Sequence, residues 1–136
     1  MKVNLAVLST AVAMLVAAAP VIAHHSFAAE FDADSPMDLT GTVTRVQWMN
    51  PHTIFYIDVE ANGGVYETWA IELGSPNGLM RRGWTRNSLK IGDIVSVTGS
   101  RARDGSTKGN ARSVMLSTGR QLFGGSSQPD AEDAND

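Results

Sequence analysis

The 22 residues HTIFYIDVEANGGVYETWAIEL (52–73) limit the possible folds more than any other stretch. Phe55, Ile57 and Val59 alternate with Tyr56, Asp58 and Glu60. A period of two places the two sets on opposite faces of a strand. Asn62, Gly63 and Gly64 accept positive φ and suit a hairpin turn. Trp69, Ile71 and Leu73 then repeat the alternation, so the stretch predicts two antiparallel strands sharing one apolar face.

Strand chemistry continues on both sides. LTGTVTRVQWM (39–49) is rich in Val and Thr, as strands are. Its apolar phase slips between Val43 and Val46, which predicts a bulge or sharp bend. IVSVTGSRA (94–102) points Val95 and Val97 inward, and RSVMLS (112–117) points Val114 and Leu116 inward. RQLF ends the patterned region. Between strands three and four, Ser75 can cap a helix, Pro76 suits its first position and Gly83 can close it, predicting a helix over 76–82. The order β-β-β-α-β-β predicts an all-β domain with one short helix between strands 3 and 4, an OB-like five-stranded Greek-key barrel. The alternative is an open, sandwich-like or meander arrangement of the same strands.

The flanks differ in character. Residues 1–23 combine Lys2, an apolar run and small residues at Val21 and Ala23, the pattern of a signal peptide cleaved after Ala23. The apolar run is too short and too interrupted for a spanning helix of roughly 20 residues. This predicts a periplasmic or secreted protein with no membrane span after cleavage. Residues 24–38 show no sustained period and read as an N-terminal arm packing Phe27 and Phe31 onto the domain. The domain itself covers 39–123. The tail, 124–136, is Gly-, Ser- and acid-rich and is expected to be disordered.

The chain holds no cysteine, so disulfides and thiol chemistry are excluded. Fourteen acidic residues outnumber 11 basic ones. A nucleic-acid binder would show a basic surplus, so none is expected as a partner. An envelope protein or a small ligand fits better.

AHHSFAAEFD, VQWMNPHTIFYIDV (with its NPH), GSPNGLMRRGWT and LKIGDIVSVTG occur in that order. Together they resemble a family of small exported bacterial proteins classed as a domain of unknown function. The resemblance spans residues 23–123. It implies export and a single β-rich domain, and it implies no activity.

Four groups of residues carry chemistry. The first is the three histidines, His24, His25 and His52. Cleavage after Ala23 gives His24 a free α-amine beside its imidazole Nδ1. Adding an imidazole from His52 makes a three-nitrogen set similar to the histidine brace of copper proteins. Alternatively, the amine and the His25 amide and imidazole can hold the metal in a plane. Nitrogen donors in tetragonal geometry favour Cu²⁺, which also binds tightest in the divalent series. The condition is reach. The strand from Leu39 to His52 is about 43 Å at 3.3 Å per residue. The arm from His24 to Leu39 spans about 50 Å at most. The arm must therefore lie extended along the domain.

The second group is aromatic: Trp48, Tyr56, Trp69 and Trp84. Trp48 and Trp69 suit the core, whereas Trp84, after the helix, suits a surface contact with a ligand or partner. The third is basic: Arg81, Arg82, Arg86 and Lys90. Arg81 and Arg82 could meet an anionic partner, although cations at a helix end more often face its last carbonyls. Glu72 is expected to pair with one of them. The fourth, Asp58 and Glu60, reads as a solvated strand face, and no catalytic motif is present. The reading is therefore an exported binding module, with copper the cofactor suggested by the histidines. The alternative is an envelope structural or protein-interaction module with no cofactor. An enzyme using a copper brace for oxidation is the third reading, less favoured because no substrate groove is readable.

Overall fold

In the computed structural model, residues 27–125 are described. The signal peptide expected over 1–23, His24, His25 and the acidic tail beyond Gly125 lie outside them. The strands are β1 (Phe31–Gln47), β2 (Ile54–Glu60), β3 (Tyr66–Glu72), β4 (Ile94–Ala102), β5 (Lys108–Leu116) and β6 (Gln121–Phe123). One helix, α1 (Pro76–Arg81), separates β3 from β4.

β1 is the spine. Its C-terminal half pairs with β2, Thr42 opposite Asp58 and Gln47 opposite Ile54. Its N-terminal half pairs with β4, from Phe31 opposite Ala102 to Thr42 opposite Ile94. Met37, Leu39 and Val43 point into the core. The register slips between Val43 and Arg45, which is the bulge expected from the phase change before Val46. β2 and β3 form the expected hairpin, with positive φ at Gly63 and Gly64. Phe55, Ile57, Trp69, Ile71, Leu73, Val95, Val97 and Val114 are all buried. Each such side chain contributes about 1.5–3 kcal/mol by leaving water.

The helix forms as the sequence predicts. Ser75 caps it in an extended conformation, and its Oγ accepts from Gly78 N–H at 3.2 Å. Pro76 occupies the first turn, and Gly83 follows with positive φ. Leu79 fixes the helix to the core with no exposed surface.

The OB-like, five-stranded closed barrel is corrected. The sheet has six strands in the order β3-β2-β1-β4-β5-β6 and is not closed into a barrel. The reason lies in how β5 uses its outer edge. β3 meets it in parallel over Lys108–Asn110 alone, opposite Ala70, Ile71 and Glu72. β6 takes the remainder at Ser113–Met115. The edge that a closing strand would need is therefore divided between two partners.

The arm also differs from its sequence reading. Residues 31–38 are not a separate segment but the first half of β1. The ladder to β4 is irregular between Asp32 and Pro36, which removes the alternation that would have marked a strand. Phe27 and Phe31 do pack down, with ring centroids 5.6 Å apart, in a second small cluster with Ala102.

Candidate functional site

The strongest concentration of interacting polar side chains lies on the outer face where β2, β3 and β5 meet. Ile54 pairs with Glu72, so their side chains share a face, and His52, two residues before Ile54, extends that face. The Thr53 N–H donates to Gly74 O and the Leu73 N–H to Thr53 O. These bonds carry the β2–β3 ladder past the strand ends and hold His52 diagonally across from Glu72. Ala70 opposes Lys108, which puts Lys108 on the same face, again diagonal to Glu72.

The result is a chain of ionisable groups. His52 Nδ1 lies 2.6 Å from Glu72 Oε1, with side-chain exposures of 41% and 9%. Lys108 Nζ lies 3.9 Å from Glu72 Oε2 and also pairs with the Glu30 carboxylate. Burial pushes the Glu72 carboxyl above its ordinary range. His52 pulls against that rise, the Glu30 charge adds to it, and Lys108 opposes it.

This arrangement selects one face of the imidazole. With Nδ1–H donating to Glu72, a neutral form of the ring has its lone pair on Nε2. Histidines that bind metals through one nitrogen commonly donate the other N–H to a carboxylate. The described residues therefore fit one arm of a metal site and not a whole one. Among them, no three His, Cys, Asp or Glu side chains gather closely enough to hold an ion. Further donors would have to come from His24 and His25, which lie outside the described residues.

The described part of the N-terminal segment does not fold back from Leu39: residues 31–38 continue β1 along β4, and residues 27–30 form a helical turn before it. Phe31–Asp38 runs along β4, and this places Glu30 against Lys108. Phe27 is buried beside Phe31. His24 precedes Phe27 by three residues, a reach of at most about 11 Å.

Other sequence candidates fall elsewhere. Trp84 is not a surface contact: it is 2% exposed, its Nε1 donates to Phe123 O at 2.8 Å, and its ring meets Trp48 edge-on. The apolar walls around the turn after α1 draw the indole inward, which the sequence did not reveal. Arg81 is exposed in the last turn of α1, and the Arg82 guanidinium lies 4.3 Å from the Phe123 ring centroid. Neither pairs with Glu72, whose partners are His52 and Lys108. Tyr56 is covered by Arg45, 4.4 Å from its ring centroid, and donates to Gln47. Asp58 accepts from Thr68. Glu72, Lys108 and Glu30 were missed as site residues. The alternation in 52–73 already put Glu72 and His52 on one face, but the parallel β3–β5 contact that adds Lys108 has no local signature.

No helix among the described residues is long and apolar enough to cross a membrane. A model for a family of unknown function, DUF6152, matches residues 11–112, in accord with the motif resemblance. No curated protein matches the chain.

Proposed function

The chain belongs to DUF6152, a family of unknown function, and from that premise we propose that it is an exported binding module for a metal ion, Cu²⁺ before others. The donors are the α-amine and imidazole of a mature His24, supported by His25, together with His52 Nε2. One observation carries the reading: the buried Glu72 holds His52 Nδ1 at 2.6 Å and so presents Nε2 outward as a fixed nitrogen donor. The position of Glu30, one lysine side chain away from Glu72, adds that the N-terminal segment starts on the same face. A copper ion so held would supply nitrogen-coordinated Cu²⁺ with room for a further ligand. The chain's own residues orient the donors. Glu72 fixes the His52 ring, and Lys108 offsets part of the Glu72 charge.

The test uses protein exported and processed to its native terminus. Cu²⁺ binding is measured by competition titration and electron spin resonance for the parent and for His52→Ala. The reading expects weaker binding and one fewer coordinating nitrogen in the variant. Equal affinity and an unchanged spectrum would remove His52 from the site.

A further inference from the structure

β4, β5 and β6 hold no acidic residue. Cross-strand partners share a face, so Ser96 with Met115, Thr98 with Ser113, and Met115 with Gln121 mark the outer one. The Thr98 and Ser113 hydroxyls meet across it at 2.9 Å. Ile94, two residues before Ser96, and Phe123, two after Gln121, extend the same face. Ile94 is 58% exposed and stands diagonal to the exposed Met115. Ile91, in the turn just before β4, is the most exposed large apolar side chain among the described residues. That turn is held at its base: Asp93 N–H donates to Lys90 O at 3.0 Å, and Lys90 N–H to Asp93 Oδ2 at 2.9 Å.

The flanks of this apolar row are basic. Residues 73–92 and 111–125 contain Arg81, Arg82, Arg86, Lys90, Arg112 and Arg120 and no Asp or Glu. The two segments pack together. Gly74 N–H donates to Gly124 O at 2.9 Å, and Arg120 Nη2 donates to Gly83 O at 3.2 Å. Lys90 adjoins Ile91, Arg120 adjoins Gln121, and the Arg82 guanidinium covers the Phe123 ring. No described carboxylate pairs with Arg82, Lys90 or Arg120. Two acids border the face: Asp93, whose carboxylate accepts from Lys90 N–H, and Asp38, opposite Thr98 at the far end. Asp58, Glu60, Glu67 and Glu72 belong to β2 and β3.

We propose that this face docks on an anionic lipid surface, with Ile91 as the inserted tip and Arg82, Lys90 and Arg120 against the headgroup phosphates. The metal reading plays no part in it. Two features favour lipid over a protein partner. Ile91 stands on a convex turn, which enters an acyl layer without needing a matching pocket. Long cationic side chains beside it keep their charge at headgroup level while their stems cover apolar surface. Apolar burial and attraction to anionic lipid act together in binding of this kind. Each basic side chain near such a surface strengthens binding about fivefold.

The experiment measures cosedimentation of metal-free, natively processed protein with two kinds of vesicle, at low and high salt. One is phosphatidylcholine alone, and the other is phosphatidylcholine and phosphatidylglycerol in equal parts. The variants are Ile91→Ala, Arg82→Gln/Lys90→Gln, and Tyr66→Ala, which removes an exposed aromatic side chain from the β2–β3 hairpin. Docking predicts binding to the anionic vesicles only, weakened by salt. It predicts about tenfold weaker binding for Ile91→Ala and about 25-fold weaker binding for the charge variant. Tyr66→Ala should bind as the parent does. Equal binding to both vesicle types, binding to neither, or equal losses in Ile91→Ala and Tyr66→Ala would overturn the proposal. A dimer in sedimentation that Ile91→Ala dissociates would also overturn it, because a second copy would then cover the face. Should the charge variant not fold, Ile91→Ala and the salt series decide.

Discussion

His52 Nδ1 and Glu72 Oε1, 2.6 Å apart, join the loop after β1 to the last residue of β3. The two residues stand 20 apart in sequence and meet because Ile54 and Glu72 are register partners. A burial-raised carboxyl thereby acquires a partner, and an exposed imidazole acquires a fixed orientation.

The pH dependence of stability follows from that burial. The Glu72 carboxyl lies above its ordinary range when folded, so on raising the pH the unfolded chain loses this proton first. Stability from this group is therefore fully present below the ordinary carboxylate range and declines as pH rises through the raised folded value. Urea titrations of metal-free protein across mildly acid pH should show that decline in the parent. It should be reduced in Glu72→Gln. Identical slopes would contradict the assignment.

In the proposed metal site Glu72 would support His52 as a donor. Loss of an outer-shell carboxylate commonly lowers metal affinity about 10–100-fold. Glu72→Ala in natively processed protein should weaken Cu²⁺ binding within that range, and the effect should vanish on a His52→Ala background. An equal loss on both backgrounds would mean that Glu72 acts through the fold and not through His52.

The core should respond as its burial dictates. Ile71 is fully buried at the β3–β5 contact, and Ile71→Ala should cost about 2–5 kcal/mol in chemical unfolding. Ile91 is 75% exposed, and Ile91→Ala should stay within about 0.5 kcal/mol. Similar losses at both positions would contradict the inside–outside assignment.

Gly99 sits where the β4–β5 register slips, and a side chain there would collide with the backbone carbonyl of Asn110. Gly99→Ala should destabilise the protein by about 1–3 kcal/mol, because backbone has no rotamer by which to yield. A melting temperature equal to the parent's would show that the strands can part more easily than this packing implies.

Much of this was legible because it is local. The alternation in 52–73 gave the β2–β3 hairpin and its inward residues, the phase slip after Val43 gave the bulge, and Ser75-Pro76 with Gly83 gave the helix. What was not legible depends on distant pairing. The start of β1 at Phe31 is followed by Asp32–Pro36, where the ladder is irregular and alternation fails. The division of the β5 edge between β3 and β6, which leaves the sheet short of a barrel, has no signature in either strand. Glu72 was expected to pair with one of Arg81, Arg82, Arg86 and Lys90, close in sequence. The sheet instead turns it toward Lys108, 36 residues on. Trp84 follows the helix on a turn that looks exposed in sequence, and only the packing with Trp48 and the bond to Phe123 draw it inside.

The claim that a free His24 amine and His52 share one metal ion is tested most directly by adding a single alanine before His24 in otherwise identical protein and repeating the Cu²⁺ titration with electron spin resonance. The account predicts weakened binding and a changed nitrogen pattern, since the amine no longer belongs to the residue whose imidazole chelates. Unaltered affinity and an unaltered spectrum would contradict it.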